Sequence, residues 1–164
     1  AWSDYKAALV GAAPGKPGAP AMLQADARVL ALAHQGTVQY EAASGKPVGK
    51  LVNVAGRQRM LSQRMAKFYL AATLPVDATT ATAEIAKART EFLTAMEFLR
   101  NAPEATPRIK EELVLAYGQW VFFDAALKKL QGGSSKPLQD VFVSSENLLS
   151  VMDRVTGLYS AIKV

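Results

Sequence analysis

The residues from Asn53 to Lys67, Asn-Val-Ala-Gly-Arg-Gln-Arg-Met-Leu-Ser-Gln-Arg-Met-Ala-Lys, hold the densest set of chemically useful side chains in the chain. They lie in a window, 42–76, that contains Lys46, Lys50, Arg57, Arg59, Arg64 and Lys67 and no acidic residue. The whole chain carries a formal charge of only +5, so everything outside the window is slightly acidic. Concentrating the positive charge on one segment predicts a place for an anion. Arginine suits that task because its planar donor fork matches a planar oxyanion.

Helical geometry decides which of these side chains can act together. At 100° per residue Leu51, Val54, Leu61, Met65, Phe68, Tyr69 and Ala72 share one face, wide enough to meet a core. Val52, Gly56, Arg59, Gln63, Ala66 and Leu70 line the opposite side, flanked by Asn53, Arg57, Met60, Arg64 and Lys67. A back stripe of small and apolar residues around one Arg and one Gln predicts a second contact there. Gly56 is unfavourable in a helix by roughly 1 kcal/mol against Ala, which calls for a compensating role. Close packing within one bundle is one such role. A two-fold contact with a second copy is the other. It would bring two Arg59 side chains together with an anion between them, aided by Gln63 and the backbone near Gly56.

Composition removes most other chemistry. A chain of 164 residues, half of them hydrophobic and a fifth charged, makes one domain or one domain with an arm. With no cysteine there are no disulfides, thiolate nucleophiles or Cys-ligated metals. His34 is the only histidine, so neither a zinc site nor a Ser-His-Asp constellation is available beyond it. It lies among Leu30, Leu32, Ala33 and Val38 and reads as a solvated or packed side chain. Glu111 and Glu112 are adjacent on a helix and point apart. There is no Glu-x-x-His pair for a di-metal bundle. Gly132-Gly133-Ser134-Ser135 lacks the strand and Gly-Lys-Ser/Thr of a phosphate loop. The chain is expected to be no enzyme and to carry no cofactor. The pI of about 9.5 raises nucleic acid as a partner, but no aromatic residues interleave with the charges of the basic helix and no nucleic-acid motif is present. No apolar run is long enough for a membrane span. The Ala-Trp start is the expected mark of a removed leader or an upstream anchor, and with it a periplasmic location.

The elements that position the basic segment are helices punctuated by Pro and Gly. Residues 11–20 read as irregular, linking a short piece with Trp2, Tyr5 and Leu9 to a helix at about 21–44. Gly45, Lys46 and Pro47 break it. The basic helix spans about 47–74 and stops at Pro75. Two further helices are expected at about 78–101 and 107–131, the second capped by Thr106 and Pro107 and ended by Gly132 to Ser135. A last helix covers about 136–162. Tyr117, Trp120, Phe122 and Phe123 read as core with one exposed ring. No strand signal competes. The predicted fold is all-α: an antiparallel four-helix up-down bundle over 47–164, with an additional N-terminal helical arm over 1–46. The segment 29–42 echoes 148–161, with Leu30/Leu149, Thr37/Thr156, Tyr40/Tyr159 and Ala42/Ala161 in common. The arm is thus expected to pack on the bundle's end or to cover part of a core face.

The segment Asn53-Val54-Ala55-Gly56-Arg57-Gln58-Arg59-Met60-Leu61-Ser62-Gln63-Arg64-Met65 resembles the signature of the PilJ-type sensor domain, the N-terminal ligand-binding domain of type IV pilus methyl-accepting transducers. It is also similar to the "P-box" of NarX-type nitrate/nitrite sensor domains. The resemblance implies a periplasmic four-helix-bundle homodimer with the signature at the dimer interface. In nitrate-sensing members an Arg and the backbone near a Gly hold the anion between two copies. By motif position these roles fall to Arg59 and Gly56, while Asn53, Arg57, Gln63 and Arg64 match further signature positions. Nitrate or nitrite is the leading ligand, and a membrane-anchored signalling partner is implied. The other open reading is a cell-envelope interaction or dimerisation module with no small-molecule ligand.

Overall fold

The structure is a computed structural model that describes residues 1–10, 18–73, 78–129 and 136–162. Six helices form among them: α1 (Trp2–Val10), α2 (Ala19–Ser44), α3 (Pro47–Thr73), α4 (Ala78–Asn101), α5 (Pro107–Leu127) and α6 (Lys136–Ser160). The last four make the bundle and the first two form a helix pair beside it. The fold is therefore all-α and antiparallel, as the periodicity predicts. Pro75, the Gly132–Ser135 loop and the end of the third predicted bundle helix at 130–131 lie outside the described residues.

Cross-helix pairs fix the direction of each helix. Arg57 meets Glu91 and Arg64 meets Glu84, so seven residues up α3 correspond to seven residues down α4. Arg59 pairs with Asp153 and Gln63 with Glu146, which sets α6 antiparallel to α3 in the same way. Arg154 to Glu112 ties α6 to α5, and Arg89 to Asp124 ties α5 to α4. α3 packs closely on α4 and α6, and α5 packs closely on α6. α4 and α5 stand further apart, spaced by the stacked rings of Phe92 and Trp120 at 4.6 Å and by Phe123 edge-on to Trp120 at 6.2 Å. α3 and α5 are thus diagonal in the bundle. At its far end Tyr159 donates a 2.7 Å hydrogen bond to the carbonyl of Leu99. Burial, with a smaller effect of the Glu104 carboxylate, pushes the Tyr159 phenol up to about 12.

Local signals account for the boundaries. Thr106 caps α5, its hydroxyl accepting from the Ile109 amide at 3.3 Å, with Pro107 in the first turn. α2 ends at Gly45, whose φ of 60° is the left-handed C-cap conformation glycine adopts without strain. Two readings need correction. α2 starts at Ala19, inside the segment 11–20 expected to be irregular, with Pro20 in its first turn, where a missing amide costs nothing, while residues 11–17 lie outside the described residues. The aromatic cluster of α5 has two exposed rings, Tyr117 and Phe122, since α5 faces core on one side only.

The core-facing arc of α3 also differs from the expected stripe. Leu51, Leu61, Met65, Phe68 and Tyr69 are buried as predicted, but Val54 and Ala72 are half-buried. Ala55, Gln58, Ser62 and Ala66 are buried in their place. Two neighbours, α4 and α6, widen the buried arc. Ser62 fits because its own helix satisfies it, its Oγ donating to the Arg59 carbonyl at 2.8 Å. Gln58 is satisfied only in part, its Nε2 donating to the Val54 carbonyl at 3.2 Å while its Oε1 is buried with no hydrogen-bond partner among the described residues.

The arm lies along the bundle's flank. Asp26 meets Lys67 and Glu41 meets Asn53, so α2 runs antiparallel along α3 for about 21 Å at 1.5 Å per residue. No residue of α2 is buried. It is a cover over the outer side of α3, and Leu23 alone of its apolar side chains packs against the core cluster.

Candidate ligand-binding face on α3

The cations of the signature leave α3 toward three different neighbours, α4, α6 and α2. Arg57 reaches α4, its Nε meeting Glu91 and its Nη2 standing 3.2 Å from the same carboxylate. Arg64 also reaches α4, with Nη2 2.6 Å from Glu84 and the guanidinium carbon 4.8 Å from the centre of the Phe68 ring. Lys87 adds a 3.0 Å contact to Glu84. The hydrogen bonds from Arg64 and Lys87 hold the Glu84 carboxyl below the usual carboxylate range, against a smaller opposing effect of burial. Lys67 pairs with Asp26 of α2, and Lys50 lies 5.1 Å over the Phe98 ring. Arg59 and Gln63 reach α6, where Arg59 Nη1 meets Asp153 and Gln63 Nε2 donates to Glu146 at 3.0 Å. Asn53 turns to Glu41 of α2.

The six site residues named from the sequence therefore do not converge on one point. Gly56 and Arg59 stand where two grooves meet. The first, about 530 Å³, runs between α2 and α3 and includes Asn53, Gly56, Arg57 and Arg59 on one wall and His34, Thr37, Tyr40 and Glu41 on the other. The second, about 630 Å³ and open, runs between α3 and α6 and is lined by Gly56, Arg59, Met60 and Gln63 against Glu146 and Asp153. Arg64 lines neither; it faces a space of about 350 Å³ under α2 and beside α4, with Arg57 and His34.

Within the shared corner one relationship is specific. A Cβ built on Gly56 would lie 3.5 Å from Arg59 Nη2 and 3.9 Å from Thr156 Cγ2 of α6. The guanidinium folds back over a residue of its own helix that has no side chain. Both distances are ordinary van der Waals contacts, so packing in the single chain does not demand glycine here.

Exposure ranks the arginines as anion sites. The Arg64–Glu84 side chains are 16% and 20% exposed, whereas those of Arg59 and Asp153 are 39% and 65% exposed. A solvent-facing pair contributes about 0–1 kcal/mol, so Arg59 can change partner at little cost. Removing a partner from a more enclosed pair is far more costly. Sequence reasoning missed the acidic residues of this face: Asp153, Glu146, Glu91, Glu84, Asp26 and Glu41. A signal existed in the spacing, since Glu84 and Glu91 are seven apart, as are Arg57 and Arg64. Reading it required the antiparallel register of α3 and α4. Among the described residues no cluster of His, Asp and Glu could hold a metal ion.

The fold and site together are a four-helix bundle whose first helix, α3, carries the Gly56–Arg59 corner at its outer edge. Residues 40–120 match the family described as PilJ, "Type IV pili methyl-accepting chemotaxis transducer N-term", and over that stretch the chain belongs to this family. The match runs from the end of α2 through α3 and α4 to Trp120 of α5. The domain is thus sensory, a part of signal transduction, and its family is not enzymatic. PilJ N-terminal domains are typically extracytoplasmic, and no described helix is long and apolar enough to cross a membrane. No curated protein and no solved structure matches the chain.

Proposed function

We propose that this sensory domain recognises a small oxyanion, nitrate or nitrite first, at the corner formed by Arg59 and Gly56, in a periplasmic homodimer whose second copy approaches along the α3–α6 groove. The carrying observation is the guanidinium of Arg59 folded over a residue without a side chain, beside a groove not covered by α2. An oxyanion held there would accept from the guanidinium, with Gln63 at hand one turn along the helix.

Asp153 is the competitor the anion has to displace. In exchanging an Asp153 contact for a ligand contact, Arg59 releases the only ion pair it makes to α6. Occupancy would therefore bias α3 against α6, by as much as the anion's affinity differs between the two arrangements. Shifts of an ångström or two between packed helices are an established switching mode. In a membrane-anchored transducer that shift would be passed to the signalling partner.

Thermal unfolding across an anion series tests the reading. Ligands that bind only the folded state raise the midpoint as their concentration passes the dissociation constant. Nitrate or nitrite should raise it above equal concentrations of chloride and sulfate, and Arg59→Ala should abolish the difference. Identical curves for all four salts in wild type would refute the anion reading. They would support the ligand-free interaction module, which draws on Arg57, Arg59, Arg64 and Lys67 each already facing a carboxylate of the same chain.

A further inference from the structure

α2 is tied to α3 near its two ends and stands off the bundle between them. Asp26 meets Lys67 near one end and Glu41 meets Asn53 near the other. Between these anchors a space of about 350 Å³ lies beneath α2, against α3 and α4. Its lining is of two kinds. One is aliphatic and includes Leu30 and Ala31 of α2 and Met60 of α3. The other is charged: Arg57 and Arg64 of α3, and Glu84, Lys87 and Glu91 of α4. Leu30 and Ala31 precede the stretch 40–120 that matches the family, so the roof of this space is not part of that match.

Two observations give the space a preference for negative charge. Its lining holds three cations against two carboxylates, and with His34 neutral it is one negative charge short. Asp26 and Lys67 beside it pair with each other and cancel. Arg64 supplies the second observation. Its side chain is 16% exposed and its Nη2 is taken by Glu84 at 2.6 Å, while its Nη1 is buried with no hydrogen-bond partner among the described residues. A buried donor left unpaired is unfavourable and calls for an acceptor. A water molecule would serve Nη1 alone; it brings no charge and leaves the aliphatic lining uncovered.

We propose that this space is a second ligand site, separate from the Arg59 corner, and that it takes a small monocarboxylate with a compact apolar body. The carboxylate accepts from Arg64 Nη1 and supplies the missing charge, and the body lies against Leu30, Ala31 and Met60. A dianion would overshoot the balance by one charge, and nitrate has no apolar part to cover the aliphatic residues. Arg59 does not line this space, so the proposal is independent of the anion reading. The ligand touches α2 on one side and α3 on the other. It binds only while α2 is seated, and so adds to the two polar anchors and holds that helix down.

Titration calorimetry and amide hydrogen exchange on the full chain test it, with 4-methylpentanoate as the probe, 4-methylpentanamide as its neutral isostere and nitrate as a small anion. The carboxylate should give saturable heat. At about ten times its dissociation constant it should slow exchange in α2 around Leu30 to His34 about tenfold, leaving α6 unchanged. The amide and nitrate should leave exchange in α2 as it is. Arg64→Gln should weaken binding of the carboxylate about tenfold or more, whereas Arg59→Ala should bind it as wild type does. Ala31→Trp fills the space from α2, which buries none of its own residues, and should abolish binding; it decides alone if Arg64→Gln unfolds. No heat and no protection in wild type would overturn the proposal, as would equal binding of the amide. So would unchanged affinity in a folded Arg64→Gln or Ala31→Trp, or loss of binding in Arg59→Ala.

Discussion

Arg59 Nη2 lies 3.5 Å from the point where a β-carbon of residue 56 would stand. Arginine and glycine three apart on a helix are neighbours by geometry, but here the long side chain folds back across its own helix instead of extending into solvent. That arrangement separates stability from recognition at position 56. Gly56→Ala introduces a methyl group at ordinary contact distance and removes the helix penalty of glycine, about 0.5–1 kcal/mol. The variant should unfold at a slightly higher temperature than wild type while losing most anion affinity, because the methyl occupies the surface beneath the guanidinium. Differential scanning calorimetry with and without nitrate measures both effects. A variant more stable and equally responsive would show that the glycine has no part in binding.

Asp153→Asn should strengthen anion binding. Asp153 holds Arg59 in the free domain through an exposed pair contributing about 0–1 kcal/mol. Neutralising it removes the competitor and a repulsive charge together, so the dissociation constant should fall several-fold with little change in stability. Titration of the variant beside wild type checks the direction. Weaker binding in Asp153→Asn would mean that the carboxylate positions Arg59 for the ligand.

The Glu84 carboxyl sets an acid limit on the bundle. Its folded-state pKa is depressed below 4.5 by the hydrogen bonds from Arg64 and Lys87. A group depressed on folding stabilises the native state above its unfolded value and loses that contribution as pH falls through the folded value. Wild type should therefore lose stability below about pH 4.5, and Glu84→Gln should start less stable at pH 7 and show a shallower decline. Urea midpoints between pH 7 and pH 3 report this. Parallel declines for the two proteins would exclude Glu84 as a source of the acid dependence.

Most of the fold was legible because its signals are local. The Gly45-Lys46-Pro47 corner, the Thr106-Pro107 cap and the 3.6-residue periodicity of Ile85, Phe92 and Leu99 each act within one or two turns. They placed α3, α4 and the start of α5 to within a residue or two. The course of α2 was not legible. Its position depends on Asp26 finding Lys67, 41 residues away, and on a helix that buries none of its own residues. The buried face of α3 was misread at Gln58 and Ser62 because polar side chains that bond back to carbonyls of their own helix look like surface residues in a pattern. At the candidate site, the Gly56–Arg59 spacing was visible. The carboxylates opposite were not, since Asp153 is 94 residues from Arg59.

The seating of α2 gives a further expectation. Its contacts to α3 include Asp26 with Lys67 and Glu41 with Asn53, over spaces of about 350 and 530 Å³. A helix held this loosely opens at lower free energy than the bundle. Amide hydrogen exchange should be fast along α2 and slow in α3 and α6. Lys67→Ala should accelerate exchange in α2 while leaving the exchange of α6 unchanged. Uniform protection across α2 and α6 would show that the arm is an integral part of the core.

Isothermal titration of nitrate into wild-type protein and into Arg59→Ala, in anion-poor buffer, tests anion recognition by Arg59 most directly, with Arg64→Ala as the control for a lost positive charge on the same helix. Saturable heat in wild type, retained in Arg64→Ala and absent in Arg59→Ala, is the expected result. Equal heats in wild type and Arg59→Ala would contradict it.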